Sequence, residues 1–144
     1  MGLKPSRTTG PGNPSTRSTI LREGINEVIG TTRGNAAPMG VIYRNNRYSL
    51  ALFKGSHTAE NIARDGWFVA NIIFDPVIYV ETAFGDLDTD AFVTEDINGR
   101  EMHRLKDAEA WIAFDAEIAG ESSEAYSVLL TPLREEIVTR TIHP

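Results

Sequence analysis

Two very short connections between apolar segments constrain the fold of this chain most strongly. Arg33-Gly34-Asn35 separates the first apolar segment from the second, and Arg44-Asn45-Asn46-Arg47 separates the second from the third. Glycine and asparagine tolerate the positive backbone φ that a tight hairpin turn requires. Parallel neighbours would instead need a long crossover, usually a helix. The connections therefore predict antiparallel strands and argue against a doubly wound parallel sheet.

The spacing of apolar residues predicts six strands and two short helices, arranged as a mainly antiparallel barrel with helical inserts. Thr58 is expected to cap the first helix and Gly66 to end it, while Asp75-Pro76 opens the second. The strands are expected at residues 20–32, 36–43, 48–53, 67–74, 108–118 and 126–141, the last bent at Pro132, and the helices at residues 58–65 and 76–84.

The alternation of apolar and polar residues is clear in one later segment and missing from another. Residues 97–106 are polar without a clear period, so we expect a loop there. The acidic segment 86–90 lacks the glycine and the distant glutamate of an EF-hand, which favours a solvated loop over a calcium site. Residues 108–118 predict a half-buried strand, with one face formed by Ile112, Phe114, Ala116 and Ile118 and the other by Trp111, Asp115 and Glu117.

Length and charge limit the partners of the chain. Its 144 residues favour one domain, and its formal net charge is −6. The first 22 residues contain four basic and no acidic residues, whereas the remainder contains 10 basic and 20 acidic residues. An acidic body argues against nucleic acid as the main partner, because phosphate backbones need clustered lysine and arginine.

The N-terminal segment differs in composition from the rest. Residues 1–18 are rich in Gly, Pro, Ser, Thr and Arg, so we expect a disordered arm there and one domain over residues 19–144. No apolar run reaches the length of a membrane span, and the arm lacks the apolar centre of a secretory signal. Because the chain also has no cysteine, we expect a cytoplasmic protein without disulfides or thiolate metal sites.

A polar turn between the third strand and the first helix combines residues that suit an anion. The turn consists of Lys54, Gly55, Ser56, His57 and Thr58. At the start of a helix, free backbone N–H groups and the positive end of the dipole favour a phosphate or carboxylate. The alternative is that the hydroxyl groups only cap the helix while the lysine and the histidine are solvated.

Two further features suggest contact with a ligand. The Ala-Ala-Pro-Met-Gly sequence of residues 36–40 leaves a shallow backbone that can lie flat against a planar ligand, or that is simply a strand start near a turn. Asn71 is the only polar side chain in residues 67–74. A buried amide needs partners, so Asn71 either bonds a neighbouring backbone or reaches a ligand.

Common catalytic and metal-binding motifs are missing from the sequence. Lys54 precedes Gly55 and no second glycine completes a phosphate loop, and the dinucleotide fingerprint is absent too. His57, His103 and His143 lack the short spacing of a metal site. The anion-binding turn, the small-residue strand start and an apolar sheet together suit a phosphorylated, planar and largely apolar ligand.

Several segments occur in an order that resembles one known family. They are residues 23–27, 35–41, 53–58 with Asn61, and 66–71, and the segment from Asp75-Pro76 to Gly85 also fits. The resemblance is to the DUF447 family of archaeal proteins of unknown function, within the flavin-reductase-like, FMN-binding split-barrel superfamily. It covers roughly residues 20–142. Members of that family continue past the last strand into a helical segment, whereas this sequence ends at Pro144.

The resemblance implies a mainly β fold, a six-stranded antiparallel split β-barrel with two or more short helices. It also implies a homodimer with FMN near the subunit interface. Phosphate contacts are implied for Lys54, Ser56, His57 and Thr58. The isoalloxazine ring is implied to lie beside the backbone of Ala36, Ala37, Pro38 and Met39, with Asn71 as a candidate contact to the ribityl chain or the ring.

Three functions remain open at this stage. The first is an FMN-dependent oxidoreductase that moves electrons between NAD(P)H and an acceptor, or acts on an unknown small molecule. The second is a non-catalytic FMN-binding module for storage, sensing or structural support. The third is a barrel whose polar turn is only a capped turn and whose role is protein interaction. The fold by itself does not choose among them.

Overall fold

Six antiparallel strands close into a barrel in this computed structural model, which describes residues 17–85 and 87–138. The eight strands are β1 (Gly24–Thr32), β2 (Asn35–Arg44), β3 (Arg47–Phe53), β4 (Trp67–Ile72), β5 (Phe92–Ile97), β6 (Arg100–Leu105), β7 (Ala110–Glu121) and β8 (Ala125–Ile137). The order around the barrel is β1–β2–β3–β8–β7–β4, and β5 pairs only with β6. The predicted antiparallel barrel is therefore confirmed.

Both short connections are tight hairpin turns. Asn45 and Asn46 have φ angles of 54° and 63°, so both central residues of the β2–β3 turn adopt the predicted positive φ. In the β1–β2 turn, Gly34 has a φ of 61°. These turns fix the register of β1, β2 and β3 because the pairing continues directly from each turn.

The first described residues pack against the barrel. Ser18, the last residue of the predicted arm, is only 5% exposed. Its backbone N–H donates to the Tyr48 hydroxyl at 2.9 Å, and its hydroxyl donates to Glu135 at 2.6 Å. Residues 1–16, the rest of the predicted arm, lie outside the described residues. The first strand begins at Gly24 rather than at Ile20.

The loop predicted over residues 97–106 is wrong, because Arg100–Leu105 forms β6 and pairs with β5. Asn98 and Gly99, both with positive φ, form the tight turn between the two strands. Such an Asn-Gly pair is a strong hairpin signal. Charged residues hide the alternation in β6, but Met102 and Leu105 are buried. The described residues therefore form eight strands, two more than predicted.

The β5–β6 hairpin also explains an error at Trp111. The prediction placed Trp111 on the exposed face of its strand, but its side chain is fully buried. It packs in a cluster with Ile97 and Met102 of the hairpin, outside the barrel. The opposite face was predicted correctly: it joins the main core, to which β7 contributes Ile112, Phe114, Ala116 and Ile118.

The α-helices among the described residues are α1 (His57–Asp65) and α2 (Pro76–Phe84). Ser56, not Thr58, caps α1, because its side chain accepts a hydrogen bond from the backbone N–H of Ala59. Gly66 ends α1 with a φ of 74°, as predicted. Asp75 caps α2 as predicted. Among the described residues, no helix has the length and apolar character needed to cross a membrane.

The strand pairing around the barrel has a gap beside the first part of β2. β2 pairs with β1 over its whole length, but with β3 only over Ile42–Arg44. The first part of β2 therefore has a neighbouring strand on one side only. β8 shows a second irregularity, because its register with β7 shifts beside Pro132, which confirms the predicted bend there.

Candidate functional site

The exposed side of β2 presents backbone hydrogen-bonding groups at alternate residues. Antiparallel pairing turns the backbone groups of successive residues to opposite sides of a strand. The register with β1, and the turn at Asn45-Asn46, direct the groups of Ala36, Pro38 and Gly40 away from β1. Pro38 has no N–H, which suits a position without a partner strand. We call residues 36–40 the β2 edge, and it offers N–H donors beside carbonyl acceptors.

The polar turn of residues 54–58 places free donors at the start of α1. Gly55 has a φ of 86°, which lets the chain reverse from β3 into the helix. Among the described residues, the backbone N–H groups of Gly55, His57 and Thr58 have no hydrogen-bond partner. These donors, together with the helix dipole, suit an anion.

One hydrogen bond joins the residue just before the β2 edge to the polar turn. The side-chain amide of Asn35, the first residue of β2, donates to the Thr58 hydroxyl oxygen at 3.1 Å. Thr58 is 4% exposed, so its hydroxyl is fixed at the inner side of the turn. The structure thus brings together the two segments that the sequence singled out separately.

Lys54 already has an anionic partner in the chain. Its ammonium group lies 2.6 Å from a carboxylate oxygen of Glu121, and 5.2 Å from the ring centroid of Tyr126. The Lys54 side chain is 29% exposed. A bound anion would compete with or join this pair, which lies at the end of β7. Glu121 was not predicted, because it is distant from Lys54 in the sequence.

The other predicted residues of the turn and the edge have different surroundings. Ser56 uses its hydroxyl oxygen as the helix cap, and its contact to a phosphate stays a prediction. His57 is exposed at the first position of the helix. Pro38 is exposed as well, and Ala37 is half-buried. On the β2 edge, Ala36 packs on a cluster outside the barrel and Met39 on the main core.

Asn71 belongs to the interior rather than to the exposed site. It is fully buried, and its amide nitrogen donates to the Ile29 carbonyl at 2.8 Å and to the Thr31 hydroxyl at 3.0 Å. Its carbonyl oxygen accepts from the backbone N–H of Leu105 at 2.8 Å. The internal alternative is thus the one that the structure supports. Through these bonds Asn71 ties the β5–β6 hairpin to the barrel, and its contact to a ligand stays a prediction.

A network around the β1–β2 turn was also missed by the sequence reasoning. Arg33 forms a two-point ion pair with Asp65, the last residue of α1, with both nitrogen–oxygen distances at 3.0 Å. The hydrogen bond from Arg33 is the main cause that lowers the pKa of the Asp65 carboxyl group below its ordinary value. Asn61, which the family pattern contains, donates to Thr32 at 3.0 Å. The presence of Asn61 in the family pattern was a signal in the sequence that could have pointed to this network.

Three clefts of the described surface lie away from the candidate site. One of about 570 Å³ is lined by Arg44, Arg47 and Ser127, among others. A second of about 300 Å³ includes Arg33 and His103, and a third of about 230 Å³ lies near Pro132. None of these three is lined by residues 36–40 or 54–58. These three clefts are therefore separate from the β2 edge and the polar turn.

Comparison with known proteins gives relatives of the same fold. The crystal structure of FMN-bound protein MM1853 from Methanosarcina mazei, described as a DUF447 protein, superposes with a TM-score of 0.74. It is 32% identical, and the match covers 85% of this chain and 68% of that chain. The flavin reductase HpaC complexed with NADP⁺ superposes with a TM-score of 0.59 at 14% identity, covering 83% of each chain. The latter likeness shows the fold alone.

A sequence relative and a family model also match this chain. The uncharacterized protein MJ1453 from Methanocaldococcus jannaschii is 36% identical over 77 residues, which is 51% of this chain and 39% of that protein. The matched part thus spans about two fifths of that relative. The sequence model described as the N-terminal domain of DUF447, a protein of unknown function, matches residues 26–139. Because this match covers most of the chain, the protein belongs to the DUF447 family.

Proposed function

We propose that this chain binds FMN across the β2 edge and the polar turn. The observation that carries the proposal is the unpaired backbone of the β2 edge, joined by the Asn35–Thr58 hydrogen bond to a helix start with free N–H groups. An alternating row of donors and acceptors matches the polar edge of an isoalloxazine ring. The FMN-bound family member MM1853, at 32% identity, supports the choice of flavin over other planar phosphates.

Two segments of this chain would hold different parts of the cofactor. The N–H groups of Gly55, His57 and Thr58 would hold the phosphate, and Lys54 would add a charge-assisted contact. The backbone of Ala36, Ala37, Pro38 and Met39 would lie beside the ring, with Gly40 extending the same edge. Bound FMN supplies hydride and electron transfer. The chain itself binds and orients the ring.

The proposed activity is that of an oxidoreductase with an NAD(P)H-type electron donor. The fold that it shares with flavin reductase HpaC, a structure complexed with NADP⁺, supports this choice. The alternative is a non-catalytic FMN-binding module. Anaerobic mixing of the FMN-loaded protein with NADH or NADPH separates the two: loss of the oxidised-flavin absorbance supports a reductase, whereas an unchanged spectrum supports the module.

We further propose that the chain forms a homodimer. The support is apolar surface on and just before α2, where four side chains are more than half exposed: Phe74, Val77, Val80 and Phe84. Clustered apolar surface of this kind marks interaction sites. Analytical ultracentrifugation of the FMN-loaded protein measures the assembly directly. A monomer that binds FMN fully at micromolar concentration would contradict the dimer but not the cofactor.

Lys54→Ala tests the proposed phosphate site. Loss of one charge-assisted contact is expected to weaken FMN binding by about 1.5–3 kcal/mol. Riboflavin has no phosphate, so its affinity should hardly change. Both affinities can be measured by quenching of flavin fluorescence. Equal loss for the two ligands would show that Lys54 does not contact the phosphate.

Glu121→Gln is the matched control, because it removes the partner of Lys54 without removing the cation. A freed ammonium group should bind the phosphate at least as well, so FMN affinity should be unchanged or higher. If Glu121→Gln instead weakens FMN as much as Lys54→Ala does, the ion pair acts by shaping the turn. A purified protein that neither carries flavin nor quenches added FMN would refute the cofactor itself.

A further inference from the structure

His103 joins the β5–β6 hairpin to the tight turn between β1 and β2. The backbone N–H of Gly34 donates to His103 Nδ1 at 3.0 Å, and the Thr31 hydroxyl donates to the His103 carbonyl oxygen at 2.6 Å. The imidazole ring lies against two aromatic rings, with centroid distances of 5.7 Å to Trp67 and 6.1 Å to Phe92. Packing and hydrogen bonding therefore hold this ring in one orientation.

The same turn is also held by α1. Arg33 binds Asp65 through two contacts of 3.0 Å, and the Asn61 amide donates to the Thr32 hydroxyl at 3.0 Å and to the Arg33 carbonyl at 3.2 Å. All of these contacts come from charged or amide side chains, and the Asn61 amide, like His103, bonds a backbone group of the turn. The turn is thus clamped between a hairpin and a helix.

The clamped turn leads directly into the candidate site. Asn35 follows Gly34 in the chain, opens β2 and donates its amide to the Thr58 hydroxyl at 3.1 Å. Ala36, the next residue, begins the β2 edge. A displacement of Gly34 would therefore reach both the polar turn and the edge within two residues.

The hydrogen bond from Gly34 depends on the charge of the imidazole. Nδ1 accepts a hydrogen bond only when the ring is neutral and its proton is on Nε2. Once the ring is protonated, Nδ1 becomes a donor and faces the N–H of Gly34. Two donors pointing at each other cannot bond, so one of the two groups must move.

Charged groups on three elements surround His103. Arg33 approaches from the turn, Asp65 from α1, and Glu101 from β6 itself, while Arg100 lines the same cleft. Burial first, and then the positive charge of Arg33, lower the pKa of His103, and Glu101 and Asp65 act in the opposite direction. The neutral ring is therefore the state at pH 7, and acid converts it.

We propose that His103 is a positioning residue for the FMN site: its neutral imidazole holds the β1–β2 turn in place, and protonation releases the turn and weakens FMN binding. This inference rests on the proposed function. It adds a pH response that originates outside the polar turn and the β2 edge. His103 contacts the turn and not the cofactor, so it acts through Gly34 and Asn35.

His103→Asn and His103→Leu distinguish this role from simple packing. Asparagine places a non-titrating carbonyl acceptor near the position of Nδ1, whereas leucine fills space without any acceptor. The affinity of the full chain for FMN is measured between pH 8 and pH 5. At pH 8 we expect near-normal affinity for the asparagine variant and about threefold to tenfold weaker binding for leucine, the size of one lost hydrogen bond at an exposed turn.

The pH dependence then isolates the imidazole. The phosphate of FMN has a pKa of about 6, and His57 also lies in the polar turn, but both are the same in every variant. Between pH 8 and pH 5 the wild-type protein should lose about threefold to tenfold more affinity than His103→Asn, since only its acceptor disappears. Equal slopes for the two proteins would overturn the proposal.

A second measurement works on the wild-type protein without flavin and needs no variant to fold. In ¹H–¹⁵N spectra, the Gly34 amide should shift with the titration of His103. Its protection from hydrogen exchange, after correction for the intrinsic pH dependence of amide exchange, should decrease in acid. A Gly34 amide that ignores the His103 titration would overturn the proposal. If wild-type protein binds no FMN at any pH, the proposed function fails, and the Gly34 titration alone then decides whether His103 controls the turn.

Discussion

Helices α1 and α2 have equal lengths but pack differently against the barrel. α1 and α2 each contain nine residues, and each begins with a side-chain cap. α1 has the more polar sequence, yet it buries Thr58, Ala59 and Ile62. α2 is far more apolar, yet none of its residues is fully buried, and Phe84 is 79% exposed.

The difference teaches that the position of a helix in the fold, rather than its composition, decides what it buries. α1 connects β3 to β4 beside the start of β2, so Ala59 and Ile62 reach the main core. Hydrogen bonds from Asn35 and Asn61 then tie it to the β1–β2 turn. α2 only rests on the small cluster outside the barrel. In a single chain, several large apolar side chains of α2 therefore lie on the surface.

The largest predicted effect is on the free energy of unfolding, because the two helices differ in how far they pack into the core. Ile62→Ala should lower the free energy of unfolding by about 2–5 kcal/mol, because it leaves a cavity under α1. Val80→Ala, its matched control on α2, should change it by no more than about 0.5 kcal/mol in the monomer. Urea denaturation followed by fluorescence measures both. Similar losses for the two variants would break the comparison.

A smaller effect concerns the helix caps. Ser56→Ala should cost about 1 kcal/mol of global stability, because the N–H of Ala59 loses its partner.

Asp75→Ala removes the equivalent bond to Val77. If α2 is as peripheral as its burial indicates, this change should unfold α2 locally while leaving the barrel intact. Amide hydrogen exchange would show faster exchange confined to α2. Slower refolding or faster exchange throughout the barrel would place α2 within the cooperative unit.

The smallest effect concerns the end of α1 and depends on pH. Because the folded pKa of Asp65 is lowered, its ion pair adds stability above the ordinary carboxyl pKa of 3.8, and this is lost as the pH falls through the folded pKa. Arg33 is 62% exposed, so Asp65→Asn should cost no more than about 1 kcal/mol at pH 7. The difference from wild type should vanish in strong acid. A difference that persists there would assign the effect to packing.

Much of the barrel was predictable because its signals are local. The Asn45-Asn46 turn, the Gly66 helix end and the Asp75 cap all depend on residues that are neighbours in the sequence. The same kind of signal existed at Asn98-Gly99, but the charged residues of β6 concealed the strand beside it. The candidate site was only partly predictable. Its turn and edge have a visible composition, whereas their connection through Asn35 and Thr58 does not.

The sequence by itself determined the antiparallel strands, the tight turns and the helix ends, because backbone preferences act over a few residues. Tertiary structure decided which partner each polar side chain obtained. Lys54 pairs with Glu121 across 67 positions, Gly34 with His103 across 69, and Asn71 with Leu105 across 34. Such pairs form only when the barrel closes and the β5–β6 hairpin covers it. Closure of the barrel buried Asn71, whose side chain then links the hairpin to the barrel, and it brought His103 next to the candidate site.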